Sequence, residues 1–518
     1  MKNLSNHLIP SPKEPFDSQQ VVNNEGGYVY ALPFLEELKR FILLGIEGGT
    51  YYCTEHKVAK EFSDRLLKHI ETDEGYTQVT LHLKRYFSKA PKKDTALFVF
   101  AILLSTGKSF LRASVYTLIN ELGLYSTYLF QLVGMLKPLR GWSRGLRSAI
   151  AKWYTGRSLE DLAYQAIKYR NRAGYTHRDI LRLCHAKPRD PKQAFLFKYI
   201  VGKCDEEGSG HPLIQIFGLL KTCPLEMAVE LIKGNEKVTW EMVPTEKLNS
   251  KEVLLALLPG MPFTAMLRNL NRYAYNGITE TRHSPATEMI LRKLKHPPAY
   301  LHPISILNSY FAYKGGRGLK GNKTWTPCQD ILDGLVNAFT KATQGLQATG
   351  KKILIAVDIS SSMSSKAAGY EMSARQIGLV LGYIMLKQEP NAELILFGTG
   401  CERPSFGRSS SLQEVLDNTQ QGGGTNCAIP FMYAWQYAQK YDAIVMLTDS
   451  ETWAGDINMQ VNVKAYEKHF STNLKIVEVA LVENPTTTLP QNARYLRVVG
   501  FDDNVPAIVQ EFISGVES

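Results

Sequence analysis

The chain has 518 residues, of which 44% are hydrophobic and 21% are charged, and its formal net charge at pH 7 is +11. This composition is typical of a folded protein of about two to four domains, and it excludes an intrinsically disordered chain, which would contain far fewer apolar residues. The best apolar run, residues 96–105, is about half of the roughly 20 residues that a membrane-spanning helix needs, so the sequence also excludes a membrane-spanning protein.

The N-terminal residues and the cysteines bear on the cellular compartment. Residues 1–16 lack the apolar core of a signal peptide, so we expect a cytoplasmic protein. The chain has seven cysteines, an odd number, and no CxxC pair, which favours reduced thiols over a disulfide or zinc framework.

From about Leu32 to Lys341 the apolar residues recur with the spacing of helices. Short breaks rich in Gly, Pro or Asp separate segments of about 12–18 residues, and no strand pattern of comparable strength intervenes. About a dozen antiparallel helices are too many for one bundle, so we expect stacked helical pairs, although no fixed sequence period is visible.

The charge is concentrated in this helical region. Residues 1–350 hold 47 basic and 31 acidic side chains, a net charge of +16, whereas residues 351–518 hold 13 and 18, a net charge of −5. Residues 101–200 alone carry 17 basic and 5 acidic side chains. A basic surplus in one domain is typical of a protein that binds a polyanion, although charge alone leaves a merely solubilising surface equally open.

Within that segment, Arg140, Arg144 and Arg147 are spaced i, i+4 and i+7. This spacing predicts one exposed stripe on a helix whose opposite, apolar side runs from Leu146 to Trp153. Guanidinium groups in such a stripe suit contacts with phosphates, and a purely solvated helix face is the alternative.

A second basic cluster, Lys168 to Arg172, leads to His177 and His185. A histidine such as His185 could stack on a base or donate a hydrogen bond to a phosphate, although a solitary histidine is usually structural.

Two glycine motifs are weak matches to nucleotide-binding loops. The spacing of residues 316–321 matches a dinucleotide fingerprint but follows a helical pattern, so we interpret it as a basic loop. Residues 107–109 resemble the end of a phosphate-binding loop, yet Ile102 stands where its first glycine should be. No catalytic motif is visible, so we predict that the protein is not an enzyme.

After Gly350 the pattern changes to short apolar runs at 353–357, 394–397, 444–447 and 474–481, with helical stretches at 366–388, 412–418, 427–440 and 462–469 between them. Nearly continuous apolar strands that alternate with helices indicate a parallel sheet covered on both faces. Residues 351–518 are therefore predicted to form a doubly wound, Rossmann-like α/β domain.

Ligands of such sheets bind beyond the carboxyl ends of the strands, and three loops there carry oxygen-bearing residues. The first strand runs into Asp358, Ser360 and Ser362, a glycine-rich turn precedes Thr425, and the strand 444–447 leads to Asp449. Two carboxylates and three hydroxyls match a hard divalent cation such as Mg²⁺ that keeps some water ligands.

This order of D-x-S-x-S, G-G-T and T-D-x-E, the last formed by residues 448–451, resembles the metal-ion-dependent adhesion site of von Willebrand factor A domains. The resemblance implies that Asp358, Ser360, Ser362, Thr425 and Asp449 hold Mg²⁺ or another divalent cation. It also implies binding more than catalysis, because a vacant position of the metal in such domains often accepts a carboxylate from a partner. The alternative is that the serines and the threonine cap helices or close turns.

Several phrases of the helical region resemble the TROVE family of Ro ribonucleoproteins. They occur in the family's order at residues 24–29, 45–52, 145–154, 177–185, 261–270 and 302–321, and the A-type domain follows. Residues 204–248 match the family poorly. The resemblance implies a monomeric ring of HEAT-like helical repeats over residues 20–345, closed by the A-type domain over residues 351–518.

The resemblance also implies partners. Relatives of this kind bind small structured Y RNAs on the outer surface and take single-stranded 3′ ends of misfolded noncoding RNAs into the central hole. Bacterial relatives have been linked to a 3′ exoribonuclease. The positions that match Lys168, Arg172 and His185 take part in Y RNA contact in the family.

Two functions remain open on the sequence. The first is an RNA-binding protein of the Ro type that acts in RNA quality control or small-RNA stabilisation, without contact to membranes. The alternative is a Mg²⁺-dependent scaffold whose A-type domain captures a carboxylate of a partner protein. The separation of charge between the two regions favours the first, because a protein platform does not require it.

Overall fold

A computed structural model describes the chain at residues 10–44, 55–90, 93–235, 237–298, 301, 303–318, 322–343, 348–367, 372–418, 420–470, 472–500 and 504–514. The phrase at residues 45–52, Cys53, His302 and residues 319–321 of the glycine loop lie outside the described residues. Within the described residues, no helix is both long enough and apolar enough to cross a membrane.

The first region is an array of helices. They are α1 (Phe34–Leu44), α2 (Glu55–His69), α3 (Asp73–Tyr86), α4 (Asp94–Ser105), α5 (Ser109–Glu121), α6 (Ser126–Leu139), α7 (Arg144–Gly156), α8 (Leu159–Lys168), α9 (His177–Cys184), α10 (Pro191–Ile200), α11 (Pro212–Thr222), α12 (Leu225–Lys233), α13 (Lys251–Leu257), α14 (Phe263–Tyr275), α15 (Pro285–Leu294), α16 (Pro303–Lys314) and α17 (Gln329–Ala342). Short hairpins accompany them: β1 (Gln20–Val22) with β2 (Tyr28–Ala31), and β3 (Asn171–Arg172) with β4 (Tyr175–Thr176).

Capping residues explain where many of these helices begin. A side-chain oxygen before the helix accepts a hydrogen bond from a backbone N–H of the first turn, which satisfies a donor that has no partner inside the helix. The capping residues include Ser143, Ser158, Thr176, Asp190, Ser250 and Ser284.

The helices pack as a solenoid. Some helices contact the next one, as in α4–α5, α12–α13 and α16–α17, and many contact the helix after that, as in the pairs α4–α6, α5–α7, α7–α9, α14–α16 and α15–α17. The apolar faces that the sequence predicts are buried; Leu162, Ile167, Met266 and Leu270 are at most 1% exposed. The predicted solenoid is confirmed, whereas the HEAT-type assignment of its helical pairs stays a prediction.

The second region is an α/β domain. Its helices are α18 (Ala374–Gln388), α19 (Leu412–Leu416), α20 (Ile429–Gln436), α21 (Met459–Phe470) and α22 (Asn504–Ser514). Its strands are β5 (Ile353–Asp358), β6 (Ala392–Phe397), β7 (Cys401–Glu402), β8 (Ala443–Thr448), β9 (Lys475–Ala480), β10 (Thr486–Thr487) and β11 (Tyr495–Val499). The sheet order is β11-β9-β8-β5-β6-β7, and every pairing in it is parallel except β6 with β7. The chain proceeds from the central β5 to β6 on one side and to β8, β9 and β11 on the other, as in a doubly wound sheet.

The four predicted strands are confirmed, and one predicted helix begins later than expected. Residues 366–388 were expected to be helical, but Lys366 pairs with Ser373 in an antiparallel bridge, and α18 begins at Ala374. Ser373 and Gln376 form a capping box, which fixes this start.

The α/β domain contacts both ends of the helical array. At one end β2 pairs with β10, and Arg40 of α1 forms a buried ion pair with Glu478 of β9 (3.0 Å). At the other end the side-chain amide of Gln388 donates a hydrogen bond to the carbonyl of Thr343, just after α17 (3.1 Å). The solenoid is therefore closed into a ring by the α/β domain, as the resemblance to the TROVE family implies.

Candidate metal centre and nucleic-acid interface

The first candidate site lies at the carboxyl ends of β5 and β8, which are neighbours in the middle of the sheet. Asp358 is the last residue of β5 and is fully buried. Its carboxylate accepts hydrogen bonds from the backbone N–H of Ser360 (2.9 Å) and from the hydroxyl of Thr448 at the end of β8 (2.6 Å). The hydroxyls of Ser360 and Ser362 lie 3.1 Å apart. The loop after β5 thus gathers one carboxylate and two hydroxyls in a buried position.

Thr425 follows a tightly packed glycine turn, residues 422–424. A Cβ at Gly422 would lie 2.7 Å from the Cα of Gly398, so this approach of two backbones requires glycine. The carbonyl of Thr425 accepts a hydrogen bond from the N–H of Trp453 (2.9 Å), which ties the turn to the loop after β8. The hydroxyl of Thr425 is buried and has no hydrogen-bond partner among the described residues. Such a hydroxyl costs free energy unless a bound group satisfies it.

Asp449 follows β8 directly and is buried at the same edge of the sheet. Its carboxylate accepts hydrogen bonds from the hydroxyl of Ser362 and from the N–H of Glu451 (3.1 Å). Burial and the charge of Asp449 raise the pKa of Asp358 to about 7, and burial also raises the pKa of Asp449. A divalent cation would compensate these two neighbouring carboxylates.

The structure therefore places the five residues predicted for this site, Asp358, Ser360, Ser362, Thr425 and Asp449, at one edge of the sheet. Among the described residues, no group of three His, Cys, Asp or Glu side chains is arranged to hold a metal ion. The donors here are two carboxylates and three hydroxyls instead, which suits a hard cation that keeps water ligands. The residues fit Mg²⁺, and their role as ligands belongs to the proposal below.

The second candidate site is the basic surface of the helical array. Arg144 and Arg147 lie on the exposed side of α7, whereas Leu146 and Trp153 on its other side are buried. Neither arginine forms an ion pair with a described residue. Their guanidinium groups are free to contact phosphates of a bound nucleic acid.

The predicted stripe is wrong for Arg140, which does not lie on α7. Arg140 ends α6 and donates a hydrogen bond to the carbonyl of Ser105 (3.3 Å). Gly141 follows with a φ of +68°, and Ser143 caps the start of α7. Two helices therefore meet where the spacing predicted one continuous helix, since a left-handed glycine and a capping serine end the first and begin the second.

The three residues singled out by the family resemblance differ in their surroundings. Lys168 ends α8, where it pairs with Glu241 (3.1 Å) and donates a hydrogen bond to the hydroxyl of Tyr164 (2.8 Å). Arg172 is exposed on the hairpin β3–β4. His185 is exposed at the end of α9, with a left-handed φ of 54°.

A group of tyrosines adjoins these basic residues. The ring of Tyr125 lies 6.3 Å from that of Tyr128 and 6.0 Å from that of Tyr169, and Tyr125 is about half exposed. Burial raises the pKa of Tyr128, and the charges of Arg268 from α14 and of Arg172 act against that shift. Aromatic faces beside arginines suit the stacking of unpaired bases.

Two family models match the chain. The TROVE domain matches residues 62–207 and 225–344, which together make up just over half of the chain, and the Ro60 vWA domain matches residues 352–513. The chain belongs to the TROVE family. Residues 208–224, which interrupt the match, fall inside the stretch that resembles this family poorly in sequence.

Relatives in the TROVE family extend over nearly the whole chain. The RNA-binding protein RO60 of Deinococcus radiodurans is 29% identical over 531 residues, which cover 99% of this chain and all of the relative. The RNA-binding protein RO60 of Caenorhabditis elegans is 28% identical over 592 residues, which cover 98% of this chain and 92% of the relative. The crystal structure of the Deinococcus radiodurans RO (RSR) protein superposes with a TM-score of 0.72 at 27% identity and covers 93% of this chain.

The structure adds Glu451 to the candidate metal site; the sequence analysis includes this residue in the T-D-x-E motif but does not select it as a site residue. Glu451 is buried beside Asp449 and accepts hydrogen bonds from Asn24 of the hairpin β1–β2. Burial and the charge of Asp449 raise the pKa of Glu451 to about 8. The only sequence signal was local: Glu451 lies two residues after Asp449, at the end of an apolar strand.

Proposed function

We propose that this protein binds noncoding RNA and acts in RNA quality control or in the stabilisation of small RNAs. Its RNA partners are small structured RNAs of the Y type and the single-stranded 3′ ends of misfolded RNAs. Both RO60 relatives are named as RNA-binding proteins, and the chain aligns with them from end to end.

One observation carries this proposal: the basic surplus of residues 101–200 includes arginines that are exposed and unpaired among the described residues. Arg144, Arg147 and Arg172 each extend from the surface without an ion pair to a described residue. Such groups neutralise phosphates and release the counterions of the nucleic acid. The affinity for RNA should therefore fall with salt, by a log–log slope of about −0.7 for each phosphate neutralised.

A second part of the proposal concerns the metal. Asp358, Ser360, Ser362, Thr425 and Asp449 hold Mg²⁺ or another divalent cation, and the hydroxyl of Thr425, which has no partner among the described residues, supports this assignment. When bound, the cation supplies a positive charge that attracts a carboxylate. Ser362 orients Asp449 through its hydrogen bond, and Thr448 orients Asp358 in the same way.

A Mg²⁺-dependent protein-interaction scaffold is the second candidate function, since the donor set of the α/β domain favours carboxylate capture.

The RNA-binding protein that we propose is a monomeric ring and has no catalytic role of its own. Any ribonuclease activity belongs to a bound 3′ exoribonuclease, so the activity should separate from the protein in stringent gel filtration.

The proposal is tested by purifying the protein from its native cells after ultraviolet crosslinking and sequencing the attached RNA. One or two abundant structured RNAs, together with fragments that have single-stranded 3′ ends, would support the proposal. RNA no higher than in an uncrosslinked sample would contradict it and would favour the protein-interaction scaffold.

A further inference from the structure

The turn of the N-terminal hairpin, residues 23–27, lies directly on the loop that carries Asp449. The side-chain amide of Asn23 donates a hydrogen bond to the carbonyl of Thr452 (2.8 Å). A Cβ at Gly27 would lie 1.9 Å from the same carbonyl oxygen, so the two backbones meet as closely as glycine allows. The turn is thus held within a few residues of a predicted metal ligand, although it is more than 400 positions away in the chain.

Asn24 uses its polar groups to satisfy the carboxylate of Glu451. Its backbone N–H donates to one oxygen (3.1 Å) and its side-chain amide to the other (2.8 Å). Because both oxygens of Glu451 are engaged, this carboxylate is poorly available to a metal. Its role is to hold the hairpin turn in place.

Glu25 is the middle residue of that turn, and its carboxylate is free. The side chain of Glu25 makes no hydrogen bond or ion pair with a described residue. Its neighbour Asn24 hydrogen-bonds to Glu451 (3.1 and 2.8 Å) and Asn23 to Thr452 (2.8 Å), so the turn holds Glu25 beside the loop that carries Asp449. The hairpin therefore brings an unengaged carboxylate next to a site that already contains the carboxylates of Asp358 and Asp449.

Carboxylates repel each other in a buried site, and such an arrangement becomes favourable when a cation lies among them. Hard divalent cations take carboxylate and hydroxyl oxygens together. The buried hydroxyl of Thr425, unpartnered among the described residues, independently indicates that a ligand binds at this place.

We propose that Glu25 supplies the carboxylate that completes the coordination of the divalent cation. This inference rests on the proposed metal site, and it identifies one further ligand of the cation as a residue of the same chain. The cation fastens the N-terminal hairpin to the α/β domain, and because β2 leads directly to α1, it also reinforces the closure of the ring. A carboxylate of a partner protein has to displace Glu25 before it reaches the metal.

The test uses Mn²⁺ as a probe with the full-length protein, by titration and by counting metal-bound waters through electron-spin resonance. Glu25→Gln should bind Mn²⁺ about 10-fold more weakly and show one additional bound water, because a water replaces the lost carboxylate. Glu14→Gln removes the same charge from the same N-terminal segment, where the carboxylate of Glu14 accepts a hydrogen bond from the backbone N–H of Ser11, and it should behave as the unmodified protein.

The outcomes separate the two hypotheses. If Glu25→Gln keeps both the affinity and the number of bound waters while Asp358→Asn loses binding, the metal site stands and the role of Glu25 is overturned. If the unmodified protein binds no Mn²⁺, the metal site itself is overturned, and the assignment of Glu25 with it.

Discussion

In the helical array, Arg144, Arg147 and Arg172 extend into solvent and form no ion pair with a described residue. In the α/β domain, by contrast, Asp358 and Asp449 are buried at the end of the sheet. An exposed charge keeps its hydration and exchanges counterions for phosphates at little cost. A buried carboxylate has lost its hydration and needs a fixed compensating group. The array is therefore suited to reversible contacts along a polyanion, and the α/β domain to a small ligand at a defined position.

At the junction between the helical array and the α/β domain, a buried guanidinium group pairs with a buried carboxylate. We expect the largest loss of stability for a substitution there. Arg40 of α1 donates hydrogen bonds to the carboxylate of Glu478 (3.0 Å) and to the carbonyls of Asn484 (3.2 Å) and Thr486 (2.8 Å). Arg40→Ala should lower the free energy of unfolding by about 3–5 kcal/mol, since it leaves a buried carboxylate without its cation. Chemical denaturation followed by circular dichroism measures this loss.

Arg282→Ala is the matched control for that prediction. Arg282 pairs with Asp330 within the array (3.6 Å), and both side chains are exposed, by 70% and 36%. Its loss should cost about 1 kcal/mol or less, because solvent screens a pair of this kind. Equal losses for the two variants would show that the junction is no more sensitive than the surface of the array.

Within the α/β domain, the next largest effect should come from the predicted metal ligands. Ser360→Ala removes a hydroxyl donor, and Asp358→Asn removes a carboxylate that every proposed arrangement of the site needs. We expect Asp358→Asn to weaken Mn²⁺ binding more than about 100-fold, beyond the loss typical of residues that only support a ligand. Isothermal titration measures the affinity.

Ser361 provides the control because it lies between two of the proposed ligands in sequence. It is exposed, and its hydroxyl points to the carbonyl of Gly423 rather than to the carboxylates. Ser361→Ala should leave the affinity for Mn²⁺ unchanged, while Ser360→Ala lowers it. If both serine variants bind like the unmodified protein, the two hydroxyls are merely turn-forming groups.

The exposed arginines should give a smaller effect that depends on salt. Replacing Arg144 and Arg147 with alanine should weaken binding of a single-stranded RNA about 10-fold near 0.15 M salt and reduce the log–log salt slope by about 1.4, corresponding to two phosphates. Fluorescence anisotropy at several salt concentrations measures both quantities. The double variant Arg292→Ala with Lys295→Ala removes the same charge from exposed positions of the array outside residues 101–200. If this control variant reduced the affinity for RNA and the salt slope as much, the effect would come from the net charge of the protein and not from the surface of α7.

The sequence predicts those parts of both regions that local patterns encode. Apolar runs in the sequence correspond to β5, β6, β8 and β9 within about two residues, and the five polar residues gather because parallel strands end at one edge of a sheet. Helical spacing also identifies the buried face of α7. Helical spacing fails at Arg140, because Gly141 with its positive φ ends the helix, although the i, i+4, i+7 spacing of the arginines runs across this break.

Contacts between distant segments leave no such pattern. Asn24 and Glu451 are 427 positions apart, and nothing about either residue type in the sequence predicts the hydrogen bonds that join them. The tyrosines beside Arg172 likewise come from separate helices and loops, and the charge of Arg268 from α14 acts on one of them, Tyr128. A period in the sequence describes one element, whereas these clusters depend on how the ring closes.

The smallest effect we predict depends on pH and concerns His177, a buried histidine of the helical array. His177 begins α9 and is 5% exposed; it accepts a hydrogen bond from the hydroxyl of Tyr154 (2.9 Å) and donates one to the carbonyl of Gln165 (3.2 Å). Burial lowers the pKa of His177 to about 3, below its value of about 6.5 in an unfolded chain. Below pH 6.5 the unfolded state therefore binds a proton that the folded state does not, so the stability from His177 is present at neutral pH and is lost as the pH falls.

Between pH 7 and pH 5.5 this loss should amount to about 1 kcal/mol. His177→Gln should consequently destabilise the protein less at pH 5.5 than at pH 7, by that difference, because the variant has no such proton to bind. Urea denaturation at the two pH values measures it. If His177→Gln lowered the free energy of unfolding equally at both pH values, the imidazole would bind its proton equally well in the folded and the unfolded chain. The core of the array would then tolerate a charge that we expect it to exclude.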